Sequence, residues 1–521
     1  MKYFILLTLT FLLETSYAQH FNEEDSTNLK VFWESMNGPE WTAYNWNGLA
    51  GSWDGVEWKD GRVVSISLTR SDEKMIGRIP AEIGNLSHLK SITLSNINIE
   101  GTLPESFNDL DSLTSLIIRH SGRIDNSKDT IPDLSGMESL NTLKLQFYNL
   151  QLGGWPEWLR DMPALEKLTL NQVIIDQPFP SWITELRLKE FGFFQNGITG
   201  TVPDLSAMDI ETLSIGMQDM EDQPFPSWVV GEEQLVSVGF IRLNLEGIPD
   251  ARLFSLPNLR ALQLGMNNLE GRLDSLIENK MTELTAFLIS NNRFSGSLSP
   301  EMFDASTLRD LSVEGNTIDS VGNFSSFASA HVYKFNNNKI PFQQLEVMHD
   351  ALMDITIFSS TDQQYGIPEE VVLLQGDTLE LDAITRGSSD TYQWYYNDAF
   401  IEGATDSTLL LIGSEALAGS YHCKIYNTLL DADGTSAIID VETDNTSSVL
   451  GLEVQEGISI YPNPSSDFIY IGDEIKEALI IDQAGKVVSI VSTRSKVDVR
   501  PLQSGIYFVV VGNESYPFIK L

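Results

Sequence analysis

The sequence predicts an α/β solenoid of short parallel strands with an irregular convex side, followed by two small all-β sandwich domains. Pairs of apolar residues, one residue apart, recur with a period of about 24 residues over roughly half of the 521-residue chain. Beyond about Gly366 the period ends, and short alternating stretches typical of β-strands take over up to Leu521. A long repeat array followed by strand-rich segments indicates several modules rather than one compact core.

Residues 63–360 form the repeat array. The paired apolar residues of each unit point to one side of a short strand, because side chains alternate along β structure. No unit can bury its apolar side alone, so the units are expected to stack into a curved solenoid with a parallel sheet on its concave face. The pairs are Ile66/Leu68, Ile92/Leu94, Leu116/Ile118, Leu143/Leu145, Leu168/Leu170, Phe191/Phe193, Leu213/Ile215, Val238/Phe240, Leu262/Leu264, Phe287/Ile289, Leu311/Val313 and Tyr333/Phe335.

An asparagine follows the strand in several units, where a buried amide can bond the unpaired backbone of the turn. We assign this structural role to Asn196, Asn267, Asn292, Asn316 and Asn338. The second half of many units reads apolar-x-Gly-x-apolar-Pro, as in residues 76–80 and 198–203. These motifs resemble the plant-type leucine-rich repeat over roughly 300 residues. The resemblance implies a recognition scaffold.

Residues 1–18 are predicted to be a secretory signal peptide, since Lys2 precedes an apolar run that ends in small residues at Ala18. An amphipathic first helix is the alternative, but the segment lacks a polar face. No later stretch reaches about 18 uninterrupted apolar residues, so no transmembrane segment is expected in the mature chain.

Residues 19–62 are expected to form an N-terminal cap on the first repeat. A helix is predicted from apolar residues at helical spacing, namely Leu29, Phe32, Trp33 and Met36. Four tryptophans then supply large apolar surface, namely Trp41, Trp46, Trp53 and Trp58. A sugar-binding platform is the alternative interpretation of this cluster, and the capping role is favoured.

The segment 366–445 contains Trp394 and, later, Tyr421 two residues before Cys423. This pattern resembles an immunoglobulin-like β-sandwich, in which a Trp packs on a disulfide and a Tyr precedes the second Cys. Ala383 occupies the position of the first Cys. Because the chain has only one cysteine, no intrachain disulfide is possible, and Cys423 is expected to be a buried thiol.

Residues 452–521 carry Tyr-Pro-Asn-Pro at 461–464, Gly-Ile-Tyr at 505–507 and Lys520 beside the last residue. These motifs resemble the type A sorting domain of the type IX secretion system of Bacteroidetes. The resemblance implies recognition by the outer-membrane secretion machinery, and then release or attachment at the outer cell surface. Independently, alternating apolar residues at 468/470 and 506/508 predict a small β-sandwich.

Charge and motif content narrow the possible functions. A net charge of −40 makes nucleic acid a poor partner, because its phosphates would be repelled. The sequence has no His-Glu-x-x-His pair, Cys pair, Gly-x-Ser-x-Gly motif or phosphate loop. We therefore expect no metal, no cofactor and no enzymatic activity.

The candidate binding surface is the exposed side of the predicted strands. Apolar residues just after each pair are not required by the core, and together with arginines they have the composition of a binding hot spot. Packing of some of them beneath their neighbours is the alternative. The candidate ligand-binding residues are Arg119, His120, Phe147, Phe194, Gln195, Met217, Ile241, Arg242 and Met266.

The sequence thus predicts a secreted or cell-surface binding protein whose concave face recognises a protein, peptide or glycan ligand. The alternative is a structural adhesin or spacer in which the immunoglobulin-like module makes the contact. A polysaccharide-active enzyme is a third and less favoured hypothesis, because abundant Asp and Glu make any carboxylate pair uninformative.

Overall fold

The computed structural model describes residues 21–48, 50–123, 131–327, 332–352, 357–359, 362–365, 369–374, 378–383, 385–412, 418–444, 460–461, 465–471, 477–482, 486–492, 495–511 and 514–521. The proposed signal peptide, residues 1–18, lies outside them. The chain divides into two compact units, Met1–Asp444 and Asn445–Leu521.

A long, almost entirely parallel sheet runs through the first unit and confirms the predicted solenoid. Only its first two strands pair in antiparallel fashion. The paired apolar residues share one register, since Ile66 lies opposite Ile92 and Ile92 opposite Leu116. The strands are β1 (Val56–Lys59), β2 (Arg62–Leu68), β3 (Ile76–Gly77), β4 (Ser91–Ile99), β5 (Ser115–Arg123), β6 (Thr142–Gln151), β7 (Lys167–Ile174), β8 (Glu190–Phe194), β9 (Thr212–Gly216), β11 (Ser237–Ile241), β13 (Ala261–Gln263), β15 (Ala286–Leu288), β17 (Asp310–Ser312), β19 (Val332–Lys334) and β20 (Ile357–Ser359).

A second parallel sheet of five strands lies beside the later repeats. Its strands are β10 (Gln223–Pro224), β12 (Leu245–Gly247), β14 (Asn268–Arg272), β16 (Arg293–Leu298) and β18 (Thr317–Val321). Helix α2 (Leu273–Leu276) and short 3₁₀ turns complete the units, at Ala81–Asn85, Glu105–Asp109, Glu157–Asp161, Ser181–Glu185, Ser227–Gly231, Ala251–Ser255 and Pro300–Met302. These short turns make the side opposite the main sheet irregular, as predicted.

Buried amides join neighbouring repeats. The Asn267 side chain donates to the carbonyl oxygens of Phe240 and Leu264, at 2.8 and 2.9 Å. Its carbonyl oxygen accepts hydrogen bonds from the backbone N–H groups of Leu243 and Leu245, at 2.9 and 3.2 Å. One side chain thus satisfies four backbone groups at the strand end and turn of one unit and at the strand end of the next. The predicted structural role of Asn267 is confirmed.

The same role recurs along the solenoid. The amide nitrogen of each predicted asparagine donates to the carbonyl of the preceding unit, as the contacts of Asn196, Asn292, Asn316 and Asn338 show. Glutamines replace asparagine in two units, where Gln218 accepts from the N–H of Ile198 and Gln363 from that of Ile340. We call these six residues, together with Asn267, the amide ladder.

The N-terminal region fixes a helix to the first parallel strand. Helix α1 (Glu23–Ser35) begins at Asn22, whose side chain accepts a hydrogen bond from the Asp25 N–H. The fully buried Asp25 carboxylate accepts two 2.9 Å bonds from the Arg62 guanidinium and a third from the Val63 N–H. Hydrogen bonding to Asp25 raises the pKa of Arg62. The Asp25 carboxylate of the helix therefore binds β2 through an ion pair with Arg62 and three hydrogen bonds.

Tryptophans pack beside α1. Trp46 stacks on Trp53 with ring centroids 5.2 Å apart, and Trp41 meets Trp46 edge-on at 5.4 Å. The indole N–H of Trp46 donates to the carbonyl of Asp54 and that of Trp41 to the carbonyl of Met36. Two further 3₁₀ turns, Gly38–Glu40 and Ala50–Ser52, lie in this segment. These contacts agree with an apolar end cover.

Two sheets follow the solenoid in the same unit. One contains β21 (Gln363–Tyr365), β22 (Glu369–Leu374), β24 (Asp390–Tyr396), β25 (Ala399–Phe400), β27 (Gly419–Asn427), β28 (Ala432–Ser436) and β29 (Ile439–Asp444), and the other β23 (Thr378–Asp382) and β26 (Thr408–Ile412). Trp394, Tyr421, Cys423 and Ala383 are all buried in the core. Burial raises the pKa of the Cys423 thiol to about 12. The module is all-β, and its assignment to the immunoglobulin-like class stays a prediction.

A carboxylate joins the solenoid to this module. Glu346 lies on α3 (Phe342–Leu352) and accepts hydrogen bonds from the N–H groups of Ser388 and Ser389, at 2.8 and 3.0 Å, and from the Asn427 amide at 2.5 Å. Burial opposes the charge of Glu346, but these bonds outweigh burial and lower its pKa below the ordinary 4.5. The buried Asn427 also donates to Asp390, at 2.7 Å.

The second unit is a small β-structure of two antiparallel sheets. One sheet contains β30 (Ile460–Tyr461), β31 (Phe468–Ile471) and β34 (Ser495–Asp498), and the other β32 (Glu477–Asp482), β33 (Val487–Ser492), β35 (Gly505–Val511) and β36 (Glu514–Lys520). The core between them contains Ile469, Ile471, Ala478, Ile480, Val497, Val499, Val509 and Phe518. The two sheets agree with the predicted small β-sandwich, but Phe468 and Tyr470 alternate with the buried Ile469 and Ile471 and lie on the other face of β31.

We expect Asn267→Ala to lower the free energy of unfolding by about 3 kcal/mol, because it leaves several buried backbone groups without partners. Asn268→Ala is the matched control, since Asn268 is exposed at the next position; its effect should stay below about 0.5 kcal/mol. Chemical denaturation of the whole chain measures both. Equal effects of the two substitutions would contradict the role of the ladder.

The Glu346 contact should be pH-dependent. Its lowered pKa means that the carboxylate stabilises the contact above pH 4.5, and that this stabilisation is lost as the pH falls through the lowered value. Amide protection of Ser388 and Ser389 in hydrogen exchange should therefore fall on acidification. Glu346→Gln should lower that protection at neutral pH and remove its acid dependence, whereas the exposed Glu370→Gln should change neither.

Candidate functional site

The concave face presents most of the predicted residues to solvent. Arg119, Gln195 and Arg242 are exposed, and Phe194, Met217 and Ile241 are partly exposed. Met266 is 48% exposed, which is unusual for a methionine beside an apolar core. The structure thus brings seven of the nine predicted residues to the surface.

The backbone explains how several of these side chains reach solvent. In each middle repeat, the second residue after the paired apolar residues adopts the left-handed conformation, which interrupts the alternation of inward and outward side chains. Residues other than glycine and asparagine do this in five consecutive units, namely Gln172 (φ 58°), Gln195 (55°), Met217 (56°), Arg242 (53°) and Met266 (61°). Later units place Asn291, Gly315 and Asn337 there, residue types that tolerate positive φ.

Two predicted site residues are buried, so their assignment to the ligand surface is corrected. His120 and Phe147 are 8% and 3% exposed. Strands β5 and β6 continue past these positions without a left-handed residue, so strict alternation turns both side chains inward. His120 Nδ1 accepts a hydrogen bond from the Ile99 N–H at 2.9 Å, and its ring packs against Phe147. His120 therefore satisfies a turn backbone, as the amide ladder does elsewhere.

Partly or fully exposed side chains of four consecutive units lie around the buried Gly216. We call this group the concave patch: Phe194, Gly216, Met217, Ile241, Arg242 and Met266. Gly216 lies between Phe194 and Ile241 in the strand register. A Cβ atom on Gly216 would lie 2.8 Å from the Phe194 ring and 3.3 Å from Ile241 Cβ. Because Gly216 has no side chain, the side chains of Phe194 and Ile241 can occupy the space above its strand.

An arginine lies beside the apolar part of this patch. Arg242 Nη1 is 3.7 Å from Met217 Sδ, a weak acceptor. A guanidinium has five N–H donors, so Arg242 can still bind a carboxylate of a ligand. The exposed face of the neighbouring strands carries only small residues, because the positions between the paired apolar residues are Gly192, Ser214 and Gly239. A ligand main chain can approach the sheet closely there.

The sequence reasoning missed two polar features next to the patch. Gln146 donates to Gln172 at 3.4 Å, and Gln172 donates to Gln195 at 3.0 Å, so three repeats share a chain of amides. Lys144 and Glu190 form an ion pair across two repeats. The alternation of the strands was the available signal, since Lys144 lies between the paired leucines of its unit and must point outward.

The described part of the chain shows no group of three or more His, Cys, Asp or Glu side chains placed to hold a metal ion. In the same residues, no helix combines the length and the apolar character that crossing a membrane would need.

Comparisons with known proteins match the C-terminal domain to a family and find similar sequences and structures for other parts of the chain. Residues 459–520 match the secretion system C-terminal sorting domain family. The receptor-like kinase TMK4 of Arabidopsis thaliana is 35% identical over 114 residues, which are 22% of this chain and 11% of the kinase. The chain therefore spans about a tenth of the length of this curated relative.

Solved structures similar to the solenoid include a plant ice-binding protein, with 23% identity over 62% of this chain and 96% of that chain and a TM-score of 0.43. The leucine-rich-repeat ectodomain of the receptor kinase GASSHO1/SCHENGEN3 from Arabidopsis thaliana, in complex with Casparian strip integrity factor 2, has 18% identity over 57% and 38% of the two chains and a TM-score of 0.41.

The stacked parallel strands, the amide ladder and the repeat length define a leucine-rich-repeat fold with plant-type repeats. The C-terminal module is a sorting domain of the type IX secretion system, which implies export.

We expect Met266→Gly to leave the free energy of unfolding unchanged or to raise it by up to about 1 kcal/mol, because glycine removes the strain of positive φ. Met266→Val should lower it by about 1 kcal/mol or more, since a β-branched residue fits this conformation poorly. Chemical denaturation of both variants tests the left-handed assignment. The reverse order of stabilities would contradict it.

Proposed function

We propose that this protein is an exported binding protein without catalytic activity, and that its concave patch recognises a peptide segment of a protein ligand. The observation that carries the proposal is the row of left-handed residues. A non-glycine residue at positive φ costs about 1 kcal/mol or more. Five consecutive units bear this cost and thereby project Gln172, Gln195, Met217, Arg242 and Met266 from the same face. A row of side chains kept at such a cost is typical of a functional surface.

The chemistry of the patch favours a peptide over a glycan. Sugars usually stack on flat exposed aromatic rings, whereas this patch combines one phenylalanine with methionines and an isoleucine. Flexible thioethers adapt to apolar side chains of a partner. The Gln146–Gln172–Gln195 chain offers amide groups to a ligand main chain. The proposed ligand segment therefore carries a large apolar residue and, near it, a carboxylate for Arg242.

Export and surface exposure form the second part of the proposal. The sorting domain directs the chain to the outside of the cell, and after export the protein is either released or attached to the outer cell surface. The proposed signal peptide, residues 1–18, begins this route.

A second candidate function is adhesion through the all-β module. Phe400, Tyr395 and His422 lie side by side on three neighbouring strands, since Tyr395 is opposite both of the others. Phe400 is 66% exposed, and the Tyr395 and His422 rings stack with centroids 5.1 Å apart. His422 is only 8% exposed and Tyr395 is partly exposed, so the contact surface of this aromatic row is made by Phe400 with part of Tyr395.

The two candidates are separated by a binding screen of the full mature chain against arrayed peptides and glycans. We expect peptide binding that Phe194→Ala and Arg242→Ala each weaken about tenfold or more, because truncation of a central hot-spot residue costs that much. Gly216→Ala should also weaken binding, since its new Cβ displaces the Phe194 ring.

Ile248→Ala is the matched control, because Ile248 is 64% exposed and lies outside the patch. It should leave binding unchanged. Binding that survives Phe194→Ala but is lost in Phe400→Ala would refute the concave patch and assign recognition to the aromatic row. Binding to glycans alone would refute the peptide ligand.

A further inference from the structure

The four-stranded sheet of the sorting domain is apolar on both faces. Its inner face contributes Ala478, Ile480, Val509 and Phe518 to the core. Glu477 and Ser515 occupy alternating positions near the strand ends, but most of the other alternating positions on the same strands are apolar. We call these apolar residues the outer face: Leu479, Ile481, Ile506, Phe508, Val510 and Ile519. A sheet that keeps one face in water normally alternates apolar with polar residues. This sheet instead has the pattern of one that is covered on both sides.

The strand register makes the outer face continuous. Ile481 lies opposite Phe508 and Leu479 opposite Val510 on neighbouring strands. Ile506 lies opposite Ile519, and these two residues are 42% and 43% exposed. Contiguous apolar side chains at such exposure mark an interaction surface rather than scattered surface residues.

The edges of the sheet favour contact through this face rather than through added strands. The edge strand β36 contains Pro517, which has no N–H to donate to another strand. The other edge strand, β33, begins beside the exposed Lys486. Proline and lysine at sheet edges oppose pairing with a further strand. A partner is therefore expected to pack on the side chains of the outer face.

The charge of the sorting domain, compared with that of the whole chain, distinguishes between possible binding partners of the outer face. Residues 459–520 contain seven Asp or Glu and six Lys or Arg, a net charge of −1, whereas the whole chain carries −40. Two copies of the chain docked through this face would bring two strongly acidic molecules together, which electrostatic repulsion disfavours. The nearly neutral sorting domain does not itself repel a different protein.

We propose that the outer face is the surface by which the secretion machinery holds the sorting domain, through an apolar contact surface on one of its proteins. The inference rests on the proposed export of this protein through the sorting domain, and it adds the residues that make the contact. Phe508, at the centre of the face between Ile481 and Pro517, is the central contact residue.

The test measures export of the full chain in a bacterium with a functional type IX system and in the same strain lacking that system. Phe508→Thr and Ile506→Thr each make the outer face polar without changing an inner residue. We expect each to lower the exported fraction about tenfold or more, as for a hot-spot residue, and to leave the chain in the periplasm as in the deficient strain. Ile412→Thr is the matched control, since Ile412 is 58% exposed on β26 of the other unit, and it should be exported normally.

Folding and self-association are measured on the purified full chains. Export of the Phe508→Thr and Ile506→Thr variants at the wild-type level would overturn the proposal, as would loss of export accompanied by protease sensitivity of the sorting domain in both variants. Sedimentation of the wild-type chain as a dimer, with both variants monomeric, would assign the face to a second copy instead. Peptide binding by the concave patch is assayed on the same chains and should be unchanged, so failure of either proposal is seen separately.

Discussion

The solenoid depends on side-chain amides that bond the backbone where the sheet ends. Each unit leaves its strand through a turn whose N–H and C=O groups are buried and have no neighbouring strand to pair with. Asn267 and its counterparts supply both a donor and an acceptor at this point, and they connect their units to the ones before them. The amide ladder therefore helps to fix the spacing of the repeats from Asn196 to Gln363, and with it the positions of the side chains that these repeats place on the concave face.

The candidate binding surface depends on the backbone conformation of one residue in each unit, close to the position of the amide ladder. Where a left-handed residue follows the strand, the chain turns and the residue points to solvent, as Met217 and Arg242 do. Where the strand continues without a left-handed residue, as in β5 and β6, the equivalent residue points inward, and His120 uses its imidazole nitrogen to accept a hydrogen bond from the backbone of a neighbouring unit. One backbone choice per unit thus decides whether a side chain belongs to the core or to the candidate binding surface.

The elements at the two ends of the solenoid are held in place by carboxylate contacts. The buried Asp25–Arg62 pair holds the N-terminal helix on the first parallel strand, and Glu346 joins the other end of the solenoid to an all-β module. Both contacts use a carboxylate that accepts several hydrogen bonds, which offsets the cost of removing the charge from water. The sorting domain differs from the rest in being almost neutral. Its binding requirements are therefore separate from those of the acidic repeat unit.

The sequence by itself determined the solenoid, its period, the structural asparagines and the sorting domain, because each leaves a repeated or local pattern such as the paired residues of Leu262/Leu264. Only the tertiary structure decided which residues after the strands are exposed. A shift of one residue in a strand moves a side chain to the opposite face, and the left-handed turn that causes this shift is not specified by residues such as Met217 or Arg242. For the same reason His120 and Phe147 were misplaced. The Lys144–Glu190 pair and the Glu346 contact join residues of different units or modules, so their partners became known only when the chain was folded.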